Sequence, residues 1–315
     1  MPARAKRGGP LDGHRRKRRI NTKKSKRNFP KIIFIVLFTL VFFLLISLRT
    51  RFWNTSGKLA LVVNQEENIL VYIFDKELKE ITEITIPGST EVVVSRQLGT
   101  WKIGSVWKLG VNEKLDGKLL AETLTRHFKL PVFAWADKEA QGFIEGGPLS
   151  LIKAVIFPYK TNLLIGDRLK IGIFAASVSE FNREEIDFRE SSFLKKVTLV
   201  DGGEGYILSG QIPTNITSLF SDSQLVTQEV KVAIIDATGS YGIGEGFGEI
   251  IEVMGGKIVA IKDEQAKDID CEIYSKDNSL SLKLARAFSC HISQEKKEGN
   301  FDLVFELGLK FWRRF

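Results

Sequence analysis

The stretch from Val230 to Gly248, VKVAIIDATGSYGIGEGFG, decides how the C-terminal part of this chain is read. Residues 230–235 form a short, mainly apolar run of strand length, and the glycine-rich turn after it opens a helix over residues 247–254. Working outward, residues 257–261 read as a strand, 271–274 as another, 280–289 as a helix and 301–306 as a last strand. The order β-α-β-β-α-β predicts a small split βαβ sheet with two helices covering one face. Glycines at 239, 242, 244, 246 and 248 occupy the place of a dinucleotide fingerprint, yet no three fit G-x-G-x-x-G, and no Lys-Ser/Thr follows. A tight turn with positive φ is the reading taken, with an anion at the helix N-terminus as the alternative.

Upstream, Leu59–Val63, Ile69–Phe74 and Ile81–Ile86 read as strands, and residues 115–128 as a helix that begins nearer Lys118. Residues 161–179 read as a second helix with Thr161 or Asn162 as its cap, and residues 194–209 as a hairpin around a Gly-rich loop. The polar stretch 213–228 reads as a linker. Residues 58–211 therefore form a mixed-sheet α/β domain, and 229–310 a separate module.

The N-terminus has a different character. Residues 1–28 hold twelve Lys/Arg against Asp12, a charge of +11 in a chain of net charge +8, so the remainder is net negative by three. Residues 32–48 are seventeen consecutive uncharged residues, about 25 Å of helix, the short end of what crosses a bilayer. The exit from this run is bulky and charged, unlike a signal peptidase site, so an uncleaved anchor is expected. The Lys/Arg asymmetry places the basic tail, 1–31, in the cytoplasm and everything after the span outside. Tail charge beside a span serves topology and attraction to anionic lipid, and nucleic acid is not expected as a partner.

With 43% apolar residues, wholesale disorder is excluded. Three scattered histidines (His14, His127, His291) and two cysteines cannot assemble a zinc site of ordinary spacing, and His127 has no second ligand in view. No cofactor is expected. In an oxidising compartment Cys271 and Cys290 suggest a disulfide: one begins a strand of roughly 16 Å, the other ends the returning helix of roughly 18 Å, so the two meet.

Residues 230–239 followed by Gly242-Ile243 and Met254-Gly255-Gly256-Lys257-Ile258-Val259 resemble the C-terminal domain of the LytR/CpsA/Psr family, with Asp236-Ala237 in place of its usual Asn-Gly. The preceding region resembles that family's catalytic domain through Phe74-Asp75-Lys76, Thr85-Ile86-Pro87, Lys102-Ile103, Leu130-Pro131-Val132 and Lys160-Thr161-Asn162-Leu163 in the same order. The resemblance implies transfer of a glycopolymer from a polyprenyl-pyrophosphate carrier to the cell wall, with arginines and aspartates holding pyrophosphate and a divalent metal. Here Gln65-Glu66-Glu67 stand in place of Arg-x-Asp, and Gly88-Ser89 in place of Arg-Asp. The short stretch 143–159 replaces a longer Arg-rich segment. Apart from Glu67, the clamp of charges needed at a departing diphosphate is missing.

The expectation is a single-pass, outward-facing envelope protein that binds a wall glycopolymer, a lipid-linked glycan or an envelope protein without catalysis. The rival is an active transferase that has moved its phosphate donors to Lys102, Lys108, Arg126 or Arg168.

Overall fold

The computed structural model describes residues 34, 37–39, 41, 49–53, 57–65, 67–145, 147–275, 277–294 and 299–315. The chain divides into two compact units, Met1–Leu44 and Leu45–Phe315. In the first, Phe34, Leu37, Phe38 and Val41 are helical with exposed side chains. Most of the span expected at 32–48, and all of the tail, lie outside the described residues; among those described, no helix is long and apolar enough to cross a membrane.

The second unit is mixed α/β. Its first sheet is built from β1 (Lys58–Gln65), β2 (Asn68–Asp75) and β3 (Glu80–Pro87), an antiparallel meander. The helices α1 (Ile103–Asn112) and α2 (Gly117–His127) follow the small hairpin of β4 (Glu91–Val93) and β5 (Thr100–Lys102). After them β6 (Ala134–Ala136) pairs parallel to β1, then come α3 (Gly147–Ile156) and α4 (Ile165–Ser177), and β7 (Arg183–Asp187) pairs parallel to β3. The strand order is β6-β1-β2-β3-β7. Strand β2 is apolar at nearly every position because both faces of the sheet are covered. Val71 and Ile73 pack with Leu120, Leu124 and Phe128 on one side; Leu70, Tyr72 and Phe74 pack with Ala154, Ile171 and Ala175 on the other. A second hairpin, β8 (Leu194–Thr198) and β9 (Glu204–Leu208), bridges through Tyr206 to Thr90, the residue before β4.

The helix expected at 161–179 starts four residues later, and neither Thr161 nor Asn162 caps it. Both side chains instead tie down β6: Asn162 Oδ1 accepts from the Trp135 N–H at 2.8 Å, and Thr161 Oγ1 donates to the Trp135 carbonyl at 2.7 Å. The first turn of α4 is held by Asp167, fully buried, whose carboxylate accepts from the Leu164 N–H at 3.0 Å. The same carboxylate accepts the backbone N–H groups of Arg51, Phe52 and Trp53 at 2.8 to 3.0 Å. Trp53 is thereby delivered to an aromatic cluster with Phe74 and Phe174.

Within 213–228 two short helices, α5 (Thr214–Thr217) and α6 (Ser223–Thr227), alternate with turns. Ile216 and Phe220 enter the core of the first sheet, while Leu225 enters that of the second.

The second sheet contains β10 (Lys231–Ala237), β11 (Lys257–Asp263), β12 (Cys271–Ser275), β13 (His291–Ile292) and β14 (Leu303–Gly308), in the order β11-β10-β14-β12-β13. Its helices are α7 (Ile243–Val253), α8 (Asn278–Phe288) and α9 (Leu309–Arg314). The expected split βαβ is corrected here: β10 and β11, joined by α7, are hydrogen-bonded parallel neighbours. Strand β14, buried at every position, takes the centre of the sheet, and the charged, exposed β11 takes the edge. Phe247 anchors the core with ring centroids 4.8 to 6.1 Å from those of Phe288, Phe305, Phe311 and Phe315.

Replacing Asp167 with alanine leaves four backbone donors without their acceptor. The expected cost is about 3 kcal/mol; urea unfolding that shows less than about 0.5 kcal/mol would contradict the assigned grip.

Glu83 sits opposite Glu185 across the β3–β7 pair. Burial, reinforced by Glu145 and Glu185, raises its pKa from 4.5 to about 7. The folded state therefore holds this proton more tightly than the unfolded chain, and stability falls as pH rises from about 4.5 through about 7. Because the carboxyl is only half-buried, solvent screening reduces the effect to about 1 kcal/mol. Glu83→Gln is expected to be more stable than the wild type by that amount at pH 8 and equal to it at pH 4, measured by urea unfolding at both.

Candidate functional site

Gln65, Glu67, Gly88 and Ser89 meet at one end of the first sheet. Gln65 closes β1, Glu67 lies in the turn to β2, and Gly88 and Ser89 follow β3. The space among them is filled by backbone. The Gly88 N–H donates to the Glu67 carbonyl at 3.0 Å, and a side chain at Gly88 would collide with that oxygen. The first amides of α1 are also occupied: Ile103 N–H donates to the Thr90 carbonyl at 2.8 Å and Gly104 N–H to the Gly88 carbonyl at 3.0 Å. A helix N-terminus ordinarily offers such amides to an anion. Tyr206 N–H donates to the Ser89 carbonyl at 3.3 Å, which adds the second hairpin to the junction. Gln65 and Glu67 are exposed at its rim.

The rival cations lie on different elements. Lys102 pairs with Asp201 at 2.6 Å. Lys108 is exposed on α1. Arg126, near the end of α2, is half-buried, and that burial lowers its pKa. Arg168 is an internal strut: its Nε donates to the Ala154 carbonyl at 2.9 Å, a second guanidinium nitrogen donates to Phe157, and the group lies 4.2 Å from the Tyr159 ring centroid. Its hydrogen bonds terminate α3, so moving it to a phosphate would uncap that helix.

The glycine-rich turn is closed from inside. Asp236 Oδ1 accepts from the Thr238 N–H and hydroxyl at 2.9 and 2.5 Å, and Oδ2 accepts from the Gly244 N–H at 2.6 Å. Gly242, at φ 77°, makes the left-handed step that lets α7 begin there. The anion at this helix N-terminus is therefore the chain's own carboxylate.

His127 Nδ1 accepts from the Val93 N–H at 3.3 Å, and burial, with Lys129 and Arg126 nearby, pushes its pKa down to about 4. It is neutral at physiological pH. His291 is exposed in β13. Cys271, at the start of β12, and Cys290, just beyond α8, form a disulfide with Cα atoms 4.6 Å apart. Among the described residues no group of three or more His, Cys, Asp or Glu is placed to hold a metal ion.

One feature escaped the sequence reading. Two adjoining cavities of about 550 and 400 Å³ lie between the first sheet's helices and those of the second, sharing Arg51, Phe52, Phe133, Arg286 and Ala287. The cations that line the larger one come from positions as far apart as 51 and 286, with no local motif to join them.

No family model matches the chain, and no curated protein does. Solved structures similar to it include a LytR-CPS2A-psr family protein. Bacillus subtilis TagV is 9% identical with a TM-score of 0.35, covering 50% of this chain and 92% of its own. B. subtilis TagT is 11% identical with a TM-score of 0.33, covering 51% and 88%. YwtF (TagT) with bound octaprenyl pyrophosphate lipid is 12% identical with a TM-score of 0.31, covering 50% and 88%.

Asp236→Ala opens the turn and leaves the Gly244 amide and Thr238 unmatched. A loss of about 2 kcal/mol is expected, with a smaller loss for Asp236→Asn, whose amide keeps one acceptor. Equal stability of the alanine variant and the wild type in thermal unfolding would contradict this closure.

Proposed function

We propose that this chain is a single-pass, outward-facing cell-envelope protein that binds a wall glycopolymer, a lipid-linked glycan or an envelope partner and does not transfer it. The observation that supports this reading is the closed junction at Glu67, Gly88 and Ser89. Transfer from a diphosphate carrier needs cationic donors aimed at the departing charge. At this junction the amides that would otherwise face an anion donate to carbonyls of the chain, and Gly88 occupies a position where the resembled family has an arginine. The substitution and the filling support each other: with a glycine at 88, the backbone of 67 and 104 closes to hydrogen-bonding distance.

The anchoring part of the proposal rests on the apolar run 32–48 and the basic residues before it. The ligand class rests on the resemblance of both the first sheet's motifs and the C-terminal strand-turn-helix.

The test uses the full chain in detergent with two probes. With a polyprenyl-pyrophosphate-linked glycan and Mg²⁺, no release of polyprenyl pyrophosphate above the protein-free rate is expected. With cell-wall sacculi carrying their glycopolymer, co-sedimentation is expected. Mg²⁺-dependent release that disappears in Lys102→Ala or Arg126→Ala would instead establish the transferase.

A further inference from the structure

The larger cavity between the two sheets brings an aromatic and a basic surface together. Phe52, Trp53, Phe133 and Phe220 give it an aromatic floor, and Arg51, Lys170, Lys283 and Arg286 give it a basic rim. Asp222 is the acid among the lining residues, and Lys283 already pairs with it. Among the described residues Arg51, Lys170 and Arg286 have no carboxylate partner. Behind the rim, Lys76 lies 4.8 Å from the centroid of the Trp53 ring. Burial, with repulsion from Lys283 and Lys170, pushes its pKa down to about 8. Arg51, Lys170 and Arg286 thus bring three basic groups without a described carboxylate partner to one cavity.

An apolar trough with unpaired cations at its mouth matches an amphiphile with an anionic head. A wholly hydrophilic polyanion would leave the aromatic floor against water, and a neutral apolar molecule would leave the cations unanswered. The source follows from the chain itself. Thr50 and Arg51 line the cavity, and only Arg49 separates them from the end of the apolar run at Leu48. Three residues reach at most about 10 Å. With that run as a bilayer anchor, the amphiphiles at highest local concentration are the lipids of the same membrane.

We infer that this groove binds the phosphate headgroup of an anionic glycerophospholipid from the outer leaflet, its acyl chain lying along Phe52, Trp53 and Phe220. The inference rests on the anchoring proposed above and is independent of whether the chain transfers a glycan. Arg51 and Arg286, shared by both cavities, hold the phosphate between them, and Lys170 supplies the third contact on the side of α4.

The experiment titrates full-length protein in a nonionic detergent with brominated-acyl phosphatidylglycerol or brominated-acyl phosphatidylcholine and reads quenching of tryptophan fluorescence. Half-maximal quenching is expected at about tenfold lower phosphatidylglycerol than phosphatidylcholine. The double reversal Lys170→Glu with Arg286→Glu is expected to bring the two curves within about twofold, whereas Lys170→Arg with Arg286→Lys keeps the preference and shows that the groove remains folded. Lys195→Glu, on the exposed side of β8, should also keep it. Indistinguishable curves in the wild type would overturn the inference. So would a preference that survives the double reversal, or one that Lys195→Glu removes equally. Retention of the chain in alkali-washed membranes reports the anchoring separately: lost lipid preference in a retained chain counts against the groove alone, and release from the membranes overturns the anchoring and the lipid source together.

Discussion

The carboxylate of Asp167 determines where the chain enters its folded body. It is fully buried, and it is satisfied by four backbone amides, three from Arg51, Phe52 and Trp53 and one from Leu164, the residue that caps its own helix. A buried charge is tolerated only when its lone pairs are met in this way. Much follows from this one contact. It seats Trp53 among Phe74 and Phe174, gives Lys76 an aromatic face to lie over, and makes residues 50–53 a wall of the inter-sheet groove.

Asp167 is one instance of a device the molecule uses repeatedly. Asp236 occupies the N-terminus of α7, Asp222 accepts from the first amides of α6 at 3.0 and 3.4 Å, and the carbonyls of Gly88 and Thr90 occupy the N-terminus of α1. Helix N-termini are natural receptors for phosphate. In this chain these amides are spent internally. The same Asp236 that departs from the Asn-Gly of the resembled C-terminal domain is the residue that fills its turn. Arg51, Lys170 and Arg286, which line the groove between the sheets, have no carboxylate partner among the described residues, and the inferred anion site is placed there and not at the junction of Glu67, Gly88 and Ser89.

The long, strongly patterned elements were legible because their burial is two-sided or periodic. Residues 59–63, 69–74 and 81–86 form β1, β2 and β3, and 115–128 brackets α2. The misses have physical causes. Strand β6 has three residues, too few for an alternation to register, and is fixed by side chains from Thr161 and Asn162. Those two polar residues before an apolar run imitate a helix cap, which misplaced the start of α4. Strand β7, Arg-Glu-Glu-Ile-Asp, is a charged edge whose pairing to β3 carries no hydrophobic signal. In 213–228, three apolar side chains among hydroxyls and amides were outweighed by composition. The order of the second sheet depends on which strand is buried on both faces, and that favoured β14 over the split arrangement. The groove had no sequence signature, since its cations are brought together only by the packing of α4 against residues 51–53 and of α8 across from them.

The claim on which the functional account turns is that the end of the first sheet is shut by backbone hydrogen bonds and presents no cradle to a diphosphate. Amide hydrogen exchange at Gly88, Gly104 and Tyr206 in the full-length protein, with and without inorganic pyrophosphate and Mg²⁺, measures this directly. The account predicts slow exchange at all three that the additions leave unchanged. Fast exchange that becomes slow when pyrophosphate and Mg²⁺ are added would contradict it.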